Sequence, residues 1–387
     1  MTLLTKTDQL NRFVQSVIKE GCSFIAVDCE FVRKTTYWPQ LGLIQLATPG
    51  QSIMIDPLSK EIELSPLCQL LYHPNLIKVF HSGRQDIEIF YHLFQRCPAP
   101  LFDTQIAAGF LGFGESISYE RLVKEILEYS LDKEDQYTNW LQRPLTPSQL
   151  RYAMGDVYHL QQLYTLLIQK LQKEGRQDWV LEESRVLANP DLYQNSPKTV
   201  WQKFKPPFSK WRFISVFWDL VTWRETQAQS LNLSRVVLAE HQLLVDLSQK
   251  PFLEKDVFQS FLKGYRQRIL SLKLGDIFYE CYRAAWDFMN STDDRLEDRK
   301  QQIRLYFQEQ DYAALSLEQK KHVKDLRLQL QTLADTLKIP CSFLAGRRDI
   351  ESWVRCPHPG HKFLKGWRQK VLQETLEPFQ AENGLQF

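Results

Sequence analysis

Apolar and polar positions alternate between two periods along this chain. They give short strands in the first half and almost only helices in the second. Thr7-Asp8 opens a helix that runs to about Lys19 and stops at Gly21. Residues 25–31 form an apolar run ending in acids, which predicts a buried strand. Leu41–Ala47 and Ser52–Ile55 predict two more strands, separated by Pro49-Gly50 and paired as a hairpin in an antiparallel part of the sheet. Ser65-Pro66 opens a short helix, Ile77–Phe80 is a fourth strand, and a helix follows through Phe94. Asp103-Thr104 starts another helix, and Tyr119–Tyr129 is amphipathic. Thr146-Pro147-Ser148-Gln149 reads as a capping box with proline at the first helical position, opening a helix to about Lys173.

Prolines at 190, 197, 206 and 207 then punctuate a linker. Beyond it strand signals nearly vanish. The predicted organisation is a mixed α/β domain over 1–190, a linker over 191–207, a helical domain over 208–291, a charged connector over 292–314 and a second helical domain over 315–387. Composition agrees with a water-soluble chain. Of 387 residues 43% are hydrophobic and 24% charged, and no apolar run is long enough to span a bilayer. Seven scattered cysteines without a Cys-x-x-Cys pair fit reduced thiols in the cytoplasm. Residues 1–190 carry 18 basic and 22 acidic side chains, and the remainder carries 30 and 24. An acidic half followed by a basic half suits a metal-binding catalytic domain joined to a polyanion-binding region.

The chemistry concentrates on carboxylates. Asp28 and Glu30 are two apart on a strand and so project from one face. Two buried acids side by side call for a positive partner, and a hard divalent cation suits carboxylate oxygen. Asp86 begins a helix after a short strand. Tyr152 and Asp156 are four apart on a late helix and share a face. Four acids in these contexts are enough for two divalent ions, the arrangement that serves phosphodiester cleavage. The Tyr152 phenol, a poor base near neutral pH, would orient the attacking water.

The segments Val27-Asp28-Cys29-Glu30-Phe31, His81-Ser82-Gly83-Arg84-Gln85-Asp86 and Tyr152-Ala153-Met154-Gly155-Asp156 resemble the three exonuclease motifs of the DEDD superfamily, in its tyrosine subgroup. Residues 31–33 and 37–46, Asp103-Thr104-Gln105 and Arg143-Pro144-Leu145 resemble the bacterial ribonuclease D family in particular. The segments 221–225 and 364–368 resemble its helical HRDC domains. The resemblance implies a ribonuclease H-like α/β exonuclease domain followed by two all-α HRDC-like domains. It also implies 3′→5′ hydrolysis of single-stranded RNA to nucleoside 5′-monophosphates, with a role in trimming tRNA precursors. Asp28, Glu30, Asp86 and Asp156 would hold two ions, Mg²⁺ or Mn²⁺, and Tyr152 would act beside them. His81 would lie near the site. One departure stands out: after Leu131-Asp132-Lys133 the chain reads Tyr137-Thr138-Asn139-Trp140, without the Arg and Asp usual in the family, which bears on substrate contacts around Lys133 rather than on metal binding.

Basic and aromatic residues together suit a single strand, by phosphate contact and base stacking. Arg33, Lys34, Tyr37 and Trp38 combine both, and the basic residues around Trp211 and Trp367 extend the set. The tryptophans in the helical half are expected in the core. Cys341, Cys356, His358 and His361 do not have a zinc spacing and read as a plain loop. The expected state is a monomer with no membrane attachment. A DNA-directed exonuclease and a non-catalytic RNA-binding protein are the rival readings.

Overall fold

The computed structural model describes residues 2–131, 135, 138–197, 200–204, 208–310, 315–358 and 360–383. Its centre is a six-stranded sheet built from β1 (Leu3–Leu4), β2 (Phe24–Val32), β3 (Gln40–Ala47), β4 (Ser52–Ile55), β5 (Ile77–Phe80) and β6 (Leu101–Asp103). The spatial order is β1-β4-β3-β2-β5-β6. β3 and β4 pair antiparallel, as the turn at Pro49-Gly50 implied. β2 pairs parallel with β5, and β5 parallel with β6. β1 and β6 are two and three residues long, too short to leave a pattern in the sequence.

Alternation along β2 sorts its side chains. Phe24 and Ala26 face one hydrophobic cluster, together with Val157, Leu160 and Tyr164 of the long helix Pro147–Lys173. Phe24 and Tyr164 pack ring on ring at 4.4 Å. Ile25, Val27 and Cys29 face the other cluster, with Leu10, Val14 and Val17 of the helix Thr7–Glu20. Asp28 and Glu30 continue the row of Phe24 and Ala26, so the strand aims them to the side covered by the long helix. That helix begins where its capping box predicts. Thr146 Oγ1 accepts from Gln149 N–H, and the Gln149 side chain accepts from Thr146 N–H.

The chain divides into two compact units. One comprises Met1–Val32, Leu41–Tyr193 and Leu315–Phe387; the other, Arg33–Gln40 and Gln194–Ala314. The partition departs from the sequence expectation. The helices of 315–387 pack into the same unit as the sheet. Trp367 stacks on Trp179 at 4.8 Å, and Phe343 packs on Phe110. The interaction is between distant stretches, and local periodicity carries no trace of it. The segment expected as a connector is also structured: Arg295–Gln310 is a helix. Asp293 accepts from Arg295 N–H at its start, and Arg299 bridges to Asp219.

The helical unit is held by aromatic packing. Phe217, Phe258, Phe278 and Tyr282 are fully buried, and Trp201 stacks on Trp218. Trp223 is buried against Phe278, in keeping with the expected core role. No described helix is long and apolar enough to cross a membrane.

Candidate active site

The expected acids converge. Asp28, Glu30 and Asp156 each offer a carboxylate oxygen, and these atoms lie within 4.8 Å of one another. Asp86 is not part of that tight group, but it is buried beside it, at 8% exposure. A cavity of about 390 Å³ opens over them, walled by Phe31, His81, Gln85, Tyr119, Tyr152 and Leu160. Asp28 and Glu30 reach it from β2 and Tyr152 with Asp156 from the long helix, while Asp86, on the helix Arg84–Phe94, is buried behind the lining.

Burial without a counter-charge makes these carboxyls hard to ionise. Burial raises Asp28 from its usual 3.8 to about 6. It raises Glu30 and Asp156 well above the carboxylate range, and the charge of Asp28 pushes both further. Asp86 is raised in the same way, first by burial and then by Asp28. A hydrogen bond from Tyr152 works in the opposite direction on Asp156, favouring its ionised form. A shared cation would relieve all four at once, and an all-oxygen donor set fits Mg²⁺ or Mn²⁺.

Several residues that fix this geometry escaped the sequence reading. Tyr119 donates its hydroxyl to the backbone carbonyl of Asp156. Asp103, at the end of β6, accepts the backbone N–H groups of Ser82 (3.0 Å), Gly83 (2.9 Å) and Gln105 (2.8 Å). It thereby holds the turn that precedes Asp86, in which Ser82 has a left-handed backbone (φ 54°). Asp103 was visible as a helix start and within a family-like segment, but not as the acceptor for Ser82 and Gly83.

His81 lines the cavity, yet both ring nitrogens are engaged. Nδ1 lies 2.9 Å from Thr104 Oγ1, and Nε2 lies 3.2 Å from the Ile117 carbonyl. The Thr104 hydroxyl donates to the Phe80 carbonyl, and burial lowers the pKa of the His81 ring. His81 joins three segments beneath the site.

The expected RNA-contact set needs correction. Tyr37 is only 3% exposed; its hydroxyl bonds Glu225, Gln229 and Arg235 inside the helical unit. It is a packing residue, because its polar end satisfies a buried carboxylate. Trp38 is half-buried against the Tyr37 ring, and its backbone N–H donates to Asn232 Oδ1. Arg33 and Lys34 are exposed, although Arg33 also donates to the Tyr37 carbonyl. Lys133 lies outside the described residues, as do Asp132 and Tyr137 of the departing segment and Lys205 of the basic run. Arg143, in the family-like 143–145 segment, makes a two-pronged ion pair with Asp56 and donates to the Gly42 carbonyl. The Cys341–His361 region holds no metal-ligand cluster among the described residues. His361 instead accepts the Phe363 N–H through Nδ1.

The chain is similar to known proteins. A family model described as 3′–5′ exonuclease matches residues 1–174. Ribonuclease D of Gluconacetobacter diazotrophicus is 33% identical over 370 residues, covering 96% of this chain and 90% of that protein. This chain belongs to the ribonuclease D family of 3′→5′ exoribonucleases. Ribonuclease D of Zymomonas mobilis is 34% identical over 351 residues, covering 90% of this chain and 86% of that one. The crystal structure of Escherichia coli RNase D, described as an exoribonuclease involved in structured RNA processing, superposes with a TM-score of 0.78 at 25% identity and 98% coverage of both chains. For a ribonuclease D the DNA-directed and non-catalytic readings fall away.

Proposed function

We propose that Asp28, Glu30, Asp86 and Asp156 hold two divalent cations, Mg²⁺ or Mn²⁺, at which the 3′-terminal phosphodiester of single-stranded RNA is hydrolysed to a nucleoside 5′-monophosphate. The observation that carries this reading is the approach of three carboxylates within 4.8 Å in a cavity without a described cationic side chain in its wall. Bound there, the cations would lower the pKa of the attacking water and stabilise the leaving oxygen. The protein's own groups do the rest. β2 fixes Asp28 and Glu30 on a rigid support, and Tyr119 ties down the helical turn that carries Asp156. The Tyr152 hydroxyl, beside the Asp156 carboxylate, orients the attacking water along the line of displacement. Arg33 and Lys34 serve as phosphate contacts.

We further infer that the RNA processed is a structured precursor with a single-stranded 3′ trailer, such as a tRNA precursor, in keeping with the description of the E. coli relative. The segments 208–291 and 315–387 are read as HRDC-like modules that help hold it. The protein is read as a cytoplasmic monomer; all seven cysteines are free thiols, which suits a reducing compartment.

The test is digestion of a 5′-labelled RNA with Mg²⁺ or Mn²⁺. A ladder shortening from the 3′ end, absent with Asp28→Asn and weak on matched DNA, is expected. Wild-type cleavage by Asp28→Asn would remove the acid cavity from the reaction. A tRNA precursor trimmed no faster than an unstructured RNA would exclude the proposed substrate.

A further inference from the structure

The long helix carries a second cavity that the reaction described above does not use. Ser148, Tyr152 and Asp156 form one row at a spacing of four, and Arg151, Gly155 and His159 form the adjacent row. Together with Tyr129, Leu131 and Asp135 they line a groove of about 240 Å³. Tyr152 and Asp156 also line the acid cavity, so the two spaces share a wall.

Four features of the groove lack a structural explanation. Gly155 sits mid-helix, where glycine is among the poorest choices and alanine the best. A methyl group there would meet nothing within 4 Å, so packing does not demand glycine. Arg151 is exposed and has no ion-pair partner among the described residues; the acids around it are Asp135 and Asp156. The Tyr129 ring is 52% exposed and lies 4.5 Å from the His159 ring, tilted 31° to it. His159 Nδ1 is buried without a described hydrogen-bond partner.

RNA must leave the acids as a continuous chain. If the terminal nucleotide occupies the acid cavity, the next has to lie in a space contiguous with the acids. We propose that this groove holds the second nucleotide from the RNA 3′ end, with its phosphate at Arg151, its base against Tyr129, and Gly155 keeping the floor clear. Stacking on an exposed ring tolerates any base, and a guanidinium contact reads only phosphate, so the subsite selects length and not sequence. This rests on the reading of the acid cavity given under Proposed function.

The test compares binding of 5′-AMP and the dinucleotide pApA, with Ca²⁺ present, by wild type, Gly155→Ala and Arg151→Gln. Gly155→Ala should melt at a higher temperature than wild type and yet bind pApA about tenfold more weakly, with 5′-AMP affinity retained. Arg151→Gln should weaken pApA selectively and flatten its salt dependence. Equal weakening of both ligands, or of neither, overturns the assignment. Asp156→Ala separates the two claims. If it still hydrolyses RNA, the acid-cavity reading fails; if it is dead while both groove variants bind pApA like wild type, the groove assignment alone fails.

Discussion

Arg368 grips Glu183 with two parallel hydrogen bonds, Nη1 to Oε1 at 2.5 Å and Nη2 to Oε2 at 3.0 Å. The indole N–H of Trp367 donates to the same carboxylate at 2.8 Å. Next to Glu183 on its helix, Ser184 Oγ accepts the backbone N–H of Asp103, the residue that holds the turn before Asp86. The C-terminal helices therefore brace a helix that leads directly to the turn before Asp86, one of the four acids proposed to hold the cations. Arg368→Ala should cost about 2 kcal/mol, the usual loss for a charged hydrogen-bonded pair. Arg368→Lys should recover less than half, because an ammonium lacks the planar fork. Urea unfolding measures both, and an unchanged midpoint for Arg368→Ala would make the contact incidental.

The acids set a pH dependence for the metal-free protein. Burial holds Asp28 near 6, against 3.8 for an ordinary carboxyl, and its three neighbours are raised as well. Between about pH 4 and 6 the folded state keeps protons that the unfolded chain has released, so stability falls as pH rises. The chelator-treated protein should melt higher near pH 5 than near pH 7.5. Mg²⁺ should raise the melting temperature more at the higher pH, where it does not have to displace protons. Melting curves at both pH values, with and without Mg²⁺, check the sign; a metal-free protein that gains stability over this range would contradict it.

Arg143, in the family-like segment 143–145, is a clamp. Asp56 is 7% exposed, and Arg143 also caps the carbonyls of Trp140 and Gly42. Removing the guanidinium leaves a buried carboxylate without its counter-charge, although the Leu58 N–H still donates to it. Arg143→Ala should therefore cost about 3 kcal/mol. The slope of RNA affinity against salt should not change, since no phosphate contact is lost. A reduced slope would reassign Arg143 to the RNA.

Tyr37 makes the converse case. Burial and the bond to Glu225 push its hydroxyl pKa up, while Arg235 packs over its ring at 4.8 Å. Tyr37→Phe leaves Glu225 short of one donor and should cost about 1–2 kcal/mol. RNA binding should stay at the wild-type level, whereas loss of RNA affinity in a fully folded variant would restore Tyr37 as a stacking residue.

These cases show where local sequence is informative. Asp28 and Glu30 on a strand, Tyr152 and Asp156 on a helix, and the Thr146–Gln149 cap are short-range patterns, and they were legible because two or four residues fix a common face. Tyr37 shows nothing locally of Glu225 or Arg235, nearly two hundred positions away. Its aromatic-basic surroundings resembled an RNA grip because packing and stacking draw on the same side chains. Asp103 was readable as a helix start, but its second duty at Ser82 and Gly83 needed the sheet order. The helix Arg295–Gln310 was hidden by its high charge, with Ile303 its buried anchor.

The path of the backbone has a further consequence. Neither unit is one uninterrupted stretch, because Arg33–Gln40 belongs with Gln194–Ala314, and Leu315–Phe387 belongs with the sheet. A fragment ending at Tyr193 would bare Trp179 and Phe110 and keep Tyr37 without the carboxylate and guanidinium that satisfy it. Minimal catalytic fragments are thus better made by joining Val32 to Leu41 through a short turn and retaining the C-terminal helices than by simple truncation.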